Sequence, residues 1–344
     1  MSLRIPEIRV AATSCLISGC VLTAHAGPPS GYYQSTLGLA GSALRAELHR
    51  IVKSTHTPML YSLTRGGLEM CDQDPASAAN VILIYSRRSE PKANFVKSPP
   101  QNATEWNREH LWPDSRGILG EGADYADLFN LRPADVTVNN DRANLAFEET
   151  DASASMIVPG SPEAPQTSRD NNSWEPPPQV KGDIARSLFY MDLRYDGDGT
   201  LESDLALTDN MNLVSGNQPW MGRLTTLLLW HLEDPVSAEE VQRNDCAQRQ
   251  QGNRNPFIDC PEWVFEIFGN PLLVTGEVTG TQVRLTWWGG LENSVPETSS
   301  LLHGAEWMTV PGAPSASGKN LTLTTTASGP RRFYRVRYRG IVNP

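Results

Sequence analysis

Two polar stretches separated by a loop constrain the fold more than any other feature of this chain. The first reads Trp-Asn-Arg-Glu-His-Leu-Trp-Pro at residues 106–113, and its proline should end a strand over residues 106–112. A glycine-containing loop follows, and a second strand is predicted over residues 128–131. The polar segment at residues 139–147 begins with two asparagines and is predicted to form a short helix. Together these segments make a β-β-α unit.

The polar residues of this unit point to one kind of chemistry. His110, at the end of the first strand, can exchange a proton near neutral pH. Glu109 and the amide oxygen of Asn139, at the helix start, are hard ligands suited to Mg²⁺. Arg142 shares a helix face with Asn139, and its guanidinium matches a phosphate. The set indicates a phosphodiesterase site, and the ordinary alternatives are a helix N-cap for Asn139 and a half-buried structural role for His110.

At these residues the chain resembles the bacterial endonuclease I family of secreted nucleases, which is part of the ββα-metal (His-Me finger) superfamily. The matching segments occur in the family's order and cover most of residues 80–267. They do not include the first residues or roughly the last seventy. The segments read WNREHLWPDSRG, DLFNLRPADVTVNNDRAN, EPPPQVKGDIARSLFYM and WHLEDPVSAEEVQRN followed by QGNRNPFIDCPEWV.

The resemblance implies metal-assisted hydrolysis of DNA, and also of RNA, with little sequence preference and 5′-phosphate products. It implies that His110 is the general base. Glu109 and Asn139 would hold one Mg²⁺, for which Mn²⁺ or Ca²⁺ could substitute, and waters would fill the remaining positions. Family members with a longer loop carry an extra phosphate-binding arginine there. In this chain the candidates for that phosphate-binding, catalytic arginine are Arg116 and Arg142.

Further arginines are candidates for binding the phosphate backbone. Arg108 and Arg132 lie within the motif. Arg186 belongs to a helix stripe that could face nucleic acid or form a solvated, salt-bridged surface. The whole chain has a net charge of −10, so we expect DNA and RNA to bind locally rather than over the whole surface. Asp127 is the candidate for orienting His110.

Residues 1–26 are predicted to be a signal peptide. Arg4 and Arg9 precede an apolar run, and small residues before and at Ala26 form a cleavage pattern. Lipoprotein processing at Cys20 is the alternative. The apolar run is too short for a comfortable membrane span. We therefore expect a secreted or periplasmic monomer with no membrane span.

Three cysteines remain after removal of the signal peptide, at Cys71, Cys246 and Cys260. An odd number outside the cytoplasm allows one disulfide and one free thiol. We expect Cys246 to pair with Cys260 because both lie in the same terminal segment of the body.

The predicted fold class is α+β. A mixed domain over residues 27–271 contains the β-β-α motif, and a small all-β module follows over residues 272–344. Outside the motif, apolar spacing predicts helices over residues 43–52, 181–195 and 239–251 and a buried strand over residues 80–85. The C-terminal module is predicted from segments that alternate with period two.

The C-terminal module leaves a second function open. Its last strand places Arg335, Arg337 and Arg339 on one face. These arginines could bind nucleic acid or an anionic surface, or they could block edge-to-edge strand pairing. The alternative to an enzyme is therefore an extracellular protein that captures nucleic acid or a surface polymer on a nuclease-like scaffold. Binding alone would not require the acidic, histidine and asparagine residues of the motif together.

Overall fold

The computed structural model describes the chain from residue 27 to residue 338, with gaps. The described residues are 27–96, 105–120, 122–150, 163–197, 199–269, 274–288, 294–300, 307–317, 320–327 and 332–338. The predicted signal peptide and the Cys20 alternative lie outside them, as does Arg339.

Helices form most of the body of the protein. They are α1 (Gly41–Thr55), α2 (Tyr61–Cys71), α3 (Val136–Arg142), α4 (Lys181–Arg194), α5 (Leu224–Glu233), α6 (Ala238–Gln251), α7 (Pro256–Asp259) and α8 (Trp263–Phe268). The predictions of helices within α1, α4 and α6 are confirmed. Within the described ranges, no helix has the length and apolar character needed to cross a membrane.

The strands are short in the body and longer in the C-terminal region. They are β1 (Gln73–Asp74), β2 (Ser77–Ile82), β3 (Ser89–Pro91), β4 (Trp106–His110), β5 (Leu131–Asp135), β6 (Ala146–Phe147), β7 (Ser168–Arg169), β8 (Ser173–Glu175), β9 (Ala206–Leu207), β10 (Trp220–Met221), β11 (Val274–Thr279), β12 (Gln282–Trp288), β13 (Ser294–Ser299), β14 (Met308–Thr309), β15 (Ser315–Ser317), β16 (Asn320–Thr326) and β17 (Phe333–Tyr338). Helices and sheets together confirm the α+β class.

Helix α4 is the centre of the body's hydrophobic core. All of its residues are buried except Asp183, and it packs against α1, α5 and α7. The apolar side chains around it form one continuous cluster that extends from Leu44 to Phe268. A helix enclosed on all sides in this way must satisfy its charged side chains internally, because an unpaired buried charge is costly.

The β-β-α unit is present, but its boundaries differ from those predicted. β4 and β5 pair antiparallel, with His110 opposite Leu131. The second strand starts at residue 131 rather than 128, because the Asp127 carboxylate accepts the Phe129 backbone N–H at 2.8 Å and turns the chain there. The helix starts at residue 136 rather than 139, and it ends before Ala143, whose φ is +51°. Asn139 is therefore inside the helix and not at its start.

The strand predicted over residues 80–85 is only partly formed. β2 ends at Ile82, and the chain turns immediately afterwards, with the Arg87 N–H donating to the Leu83 carbonyl at 3.0 Å. Leu83, Ile84 and Tyr85 are nevertheless buried. The apolar run thus predicted burial correctly, and the turn was missed.

The disulfide joins Cys71 at the end of α2 to Cys246 in α6, with Cα atoms 5.3 Å apart. The expected Cys246–Cys260 pair is wrong. Helices α2 and α6 pack against each other, which brings together two cysteines separated by 175 positions. Cys260 forms no disulfide with any described residue and is partly buried.

A strand-rich region follows the body. Strands β11, β12, β16 and β15 form one sheet in that order, and β14, β13 and β17 form another. Its hydrophobic cluster includes Val283, Trp287 and Leu323 and shares no residue with the cluster of the body. β17, which carries Arg335 and Arg337, is an outer strand among the described strands of its sheet. The exact boundary between the two domains stays a prediction.

Candidate active site

His110 is held at the end of β4 by a backbone carbonyl. Its Nε2 lies 2.8 Å from the carbonyl oxygen of Tyr125. Because a carbonyl can only accept, Nε2 carries the proton and Nδ1 carries the lone pair. The Tyr125 contact is the ring's hydrogen bond in the described residues, and Nδ1 has no partner there. Burial lowers the pKa of His110, partly offset by the Tyr125 carbonyl, which favours the neutral imidazole that a general base requires.

Glu109 is almost fully buried beside it, with 2% of its surface exposed. Its Oε1 accepts the hydroxyl of Tyr85 at 2.6 Å and lies 3.1 Å from Nη1 of Arg142. Burial raises the pKa of Glu109, and Arg142 and Tyr85 act in the opposite direction. Two partners on one oxygen therefore fix the direction of the carboxylate.

Asn139 lies on α3 where this helix passes β4. Its Nδ2 donates to Oδ1 of Asn107 at 2.8 Å, which orients the side-chain amide. Arg142, three residues later, donates to the carbonyls of His110 and Leu111 at 2.8 and 2.6 Å. The helix face shared by Asn139 and Arg142 is thus pressed against the strand that carries Glu109 and His110.

Glu109 and Asn139 provide donors suited to Mg²⁺. The Nδ2 of Asn139 donates to a neighbouring amide, and its side-chain oxygen accepts no hydrogen bond from the described part of the chain. In the ranges that the structure describes, no three His, Cys, Asp or Glu side chains converge as a metal site. An ion here would have these two protein ligands and water, which suits Mg²⁺ because it keeps much of its hydration. The donor set fits this ion.

The two arginines expected to act in catalysis differ in how fully they are engaged. Arg142 is fully buried, and both of its terminal nitrogens already have partners. Arg116 is 6% exposed and donates from Nε and Nη2 to the carbonyl of Asn144. Its Nη1 is buried without a hydrogen-bond partner in the described residues. Burial and the nearby Arg142 lower the pKa of Arg116. Of the two, only Arg116 has a terminal nitrogen without a partner in the described residues, since the unpartnered atom of Arg142 is its Nε.

The three arginines expected to bind nucleic acid are also placed differently. Arg186 is fully buried and makes a paired contact with Glu240, at 2.7 Å from Nε and 2.6 Å from Nη2. Arg132 is 5% exposed and lies 3.3 Å from Asp72. Arg108 alone of the three is half-buried. The structure thus brings Arg108 next to His110 and places Arg186 in the interior, where it does not reach a surface ligand.

The prediction that Asp127 orients His110 is wrong. Its Oδ2 accepts the hydroxyls of Tyr190 and Tyr195 at 2.6 and 2.7 Å, and its Oδ1 accepts Nε2 of Gln251 at 2.8 Å. The neighbouring backbone carbonyl of Tyr125 takes the expected role. A backbone atom carries no residue signature, so the sequence has no signal for it.

Three tyrosines around the site were not predicted. Tyr85 binds Glu109, and the rings of Tyr61 and Tyr125 lie beside the imidazole of His110, with centroids at 5.9 and 4.6 Å. Tyr85 had a weak signal, because it ends an apolar run whose other members are buried. Tyr61 and Tyr125 reach His110 only through the packing of α2 and of the connecting loop.

Comparison with known proteins gives one matching family model and several similar proteins. A model of the Endonuclease I family matches residues 40–262. An extracellular ribonuclease of Bacillus amyloliquefaciens is 42% identical over 253 residues, covering 73% of this chain and 82% of that protein. An extracellular ribonuclease of Bacillus subtilis (strain 168) is 40% identical over 258 residues, covering 74% and 84%. An extracellular deoxyribonuclease of Aeromonas hydrophila is 28% identical over 133 residues, covering 39% and 49%.

Proposed function

The chain belongs to the endonuclease I family of nucleases, and from this premise we propose that it is a secreted, Mg²⁺-dependent endonuclease. It would hydrolyse phosphodiester bonds of RNA and DNA with little sequence preference and leave 5′-phosphate ends. The observation that carries the proposal is the geometry of His110. A backbone carbonyl fixes its tautomer, and the adjacent Glu109 is buried and held by two partners.

His110 acts as the general base. Nδ1 takes a proton from the attacking water, and Nε2 keeps its own proton on the Tyr125 carbonyl. The imidazole becomes positively charged during this step, and the carbonyl oxygen stabilises that charge. Because burial keeps the pKa of His110 low, the resting ring is ready to accept the proton.

Glu109 and Asn139 are the residues that would hold the ion. When bound, Mg²⁺ supplies charge neutralisation at the phosphate under attack and at the leaving oxygen. Tyr85 and Arg142 keep the carboxylate of Glu109 in one orientation, and Asn107 does the same for the amide of Asn139. Arg116, rather than Arg142, is the arginine proposed to stabilise the developing charge. Its terminal Nη1 has no partner in the described residues, whereas both terminal nitrogens of Arg142 donate to backbone carbonyls.

The proposed substrate class includes both nucleic acids. Relatives at 42% and 40% identity are named extracellular ribonucleases, and a more distant one is named an extracellular deoxyribonuclease. Contacts to the phosphate backbone carry no base information, which agrees with a broad substrate range. A binding protein on a nuclease-like scaffold is the second candidate. The orientation of Glu109, His110 and Asn139 by separate partners favours the enzyme, because capture of a polymer needs none of them.

Metal removal tests the proposed function directly. We expect purified protein to nick supercoiled plasmid and to degrade an RNA transcript with Mg²⁺, and to do neither after treatment with a chelator. Added Mg²⁺ should restore both activities, because the ion is held by only two protein ligands and exchanges. The measurement is the rate of loss of intact substrate on a gel. Unchanged cleavage in excess chelator would refute the metal dependence, and binding without cleavage under all conditions would favour the capture protein.

Removal of the strand-rich region tests where the active unit ends. A chain that stops at residue 270 should keep the nuclease rate of the full chain, because the two hydrophobic clusters share no residue and every site residue precedes that point. Circular dichroism establishes that the shortened protein is folded before its rate is measured. A folded but inactive product would show that the C-terminal region belongs to the active unit.

A further inference from the structure

A row of aromatic and arginine side chains leads away from His110 across the protein surface. It consists of Tyr125, Tyr61, Arg108, Phe95 and Arg65, which we call the aromatic–arginine strip. Every member is partly exposed. Alternation of flat rings and cations is the side-chain pattern that binds single-stranded nucleic acid, because rings stack on bases and cations attract the backbone.

The inner end of the strip touches the general base. The ring of Tyr61 is nearly parallel to the imidazole of His110, at an angle of 18°, and it lies 4.5 Å from the ring of Tyr125. Arg108 stacks on Tyr61, with its Cζ 3.7 Å from the ring centroid. Nη1 of Arg108 also donates to the Tyr61 carbonyl at 2.7 Å. These contacts hold the Tyr61 ring in a fixed plane beside the reacting group.

The outer end continues the same alternation. Cζ of Arg108 lies 5.5 Å from the centroid of the Phe95 ring, and Cζ of Arg65 lies 4.7 Å from it. Nε of Arg65 is 2.7 Å from Glu69, and the Arg65 side chain is 44% exposed. Two guanidinium groups therefore lie near the Phe95 ring, which Trp106 also contacts edge-on at a centroid distance of 4.9 Å, and Phe95 itself stays partly exposed.

The remaining arginines of the motif are more deeply buried than those of the strip. Arg116, Arg132 and Arg142 are between 0% and 6% exposed, so they add little positive charge to the surface. The chain is also acidic overall, with a net charge of −10. A protein with a net negative charge gains less affinity from counterion release than a basic one. Stacking on aromatic rings supplies affinity that does not depend on charge.

We propose that the aromatic–arginine strip is a subsite for unpaired bases and makes the enzyme prefer single-stranded nucleic acid. This inference rests on the proposed nuclease function. The strand next to the cleaved phosphate places a base on Tyr61 and a more distant base on Phe95, and Arg65 pairs with a phosphate between or beyond them. A paired base cannot offer its face to a ring without first leaving the duplex. The strip therefore discriminates against duplex substrate without reading sequence.

A substrate with one cleavable bond tests the stacking. The substrate is a labelled DNA strand in which every linkage except one is a phosphorothioate, used alone, annealed to its complement, or with an abasic nucleotide on either side of the cleavable bond. The wild-type protein should cleave the single strand with a higher kcat/KM than the duplex. An abasic nucleotide on one side should raise KM about 5- to 150-fold, the range for loss of one stacked base.

Variants of the ring show whether Tyr61 is the partner of that base. Tyr61→Leu should raise KM on the intact single strand by a similar factor. In this variant, the abasic nucleotide should raise KM little further, because the ring that stacks on the missing base is already absent. Tyr61→Phe keeps the ring and should behave like the wild type. If Tyr61 had a purely structural role, the KM increase caused by Tyr61→Leu and the increase caused by the abasic nucleotide would instead be independent and would multiply. Multiplying losses, or equal kcat/KM on single strand and duplex for the wild type, would overturn the subsite.

A pair of arginine variants tests the outer end with a matched control. Arg65 and Arg50 each lie on a helix surface and pair with a glutamate of the same helix. Arg65→Gln should make the slope of log K against log salt on single-stranded DNA shallower by about 0.7, and Arg50→Gln should not. Equal slopes for both variants would remove Arg65 from the subsite. If the wild type cleaves nothing with Mg²⁺, the proposed nuclease function fails. The subsite can still be tested in that case, because fluorescence anisotropy of the labelled strand measures binding and its salt slope without cleavage.

Discussion

The variant His110→Ala is expected to lower kcat on plasmid DNA by roughly 10²- to 10⁴-fold, the usual contribution of a general base. The loss should fall on kcat rather than on substrate binding, because His110 is proposed to act on the attacking water and not to hold the phosphate. The Tyr125 carbonyl loses its hydrogen-bond donor in this variant, and water can replace that donor because the site is partly exposed.

His49 provides a matched control for this experiment. It is also half-buried, and its Nδ1 lies 2.8 Å from a backbone carbonyl, that of Leu193. It lies on α1, and no acidic or asparagine side chain of the candidate site contacts it. His49→Ala should keep the wild-type kcat and have a similar effect on folding. Near-normal cleavage by His110→Ala, or an equal loss in the two variants, would remove His110 from the role of base.

The variant Arg142→Ala is expected to destabilise the protein strongly. Arg142 is fully buried, pairs with Glu109, and donates to the carbonyls of His110 and Leu111. Removal of one member of a buried ion pair typically costs about 3–5 kcal/mol of unfolding free energy, because the other charge stays buried and uncompensated. For a domain of this size the melting temperature should fall by about 6–20 °C. Differential scanning calorimetry measures the change.

The same variant distinguishes a structural arginine from one that binds phosphate. If Arg142 bound a phosphate, its loss would make the salt slope of DNA binding shallower by about one unit. Because the side chain is enclosed, we expect the slope to stay unchanged while the stability falls. Arg50→Ala, on an exposed helix surface, should leave the melting temperature unchanged. A normal melting temperature together with a shallower salt slope of DNA binding for Arg142→Ala would instead show that Arg142 contacts nucleic acid.

Local patterns in the sequence were sufficient for the helices of the body and for the order of the motif. The spacing of Leu44, Leu48 and Ile51 predicts a helix that the structure contains as α1, because residues three and four apart share a face regardless of what they pack against. The start of β4 at Trp106 agreed with its prediction, although the strand ends at His110 and not at residue 112. The start of β5 did not, because a carboxylate–backbone contact within the loop formed a turn where the residue pattern favoured a strand.

The sequence by itself also determined which residue types the motif offers for catalysis, because Glu109 and His110 are neighbours in the chain and need no fold to be adjacent. Only the tertiary structure decided which arginines are at the surface. Arg186 is neutralised by Glu240, 54 positions away, and Arg243 by Asp72, 171 positions away. Such partners are set by helix packing, and local periodicity contains no information about them. The same holds for Tyr61, which reaches His110 because the start of α2 lies beside β4, where the Tyr61 carbonyl accepts a hydrogen bond from Arg108.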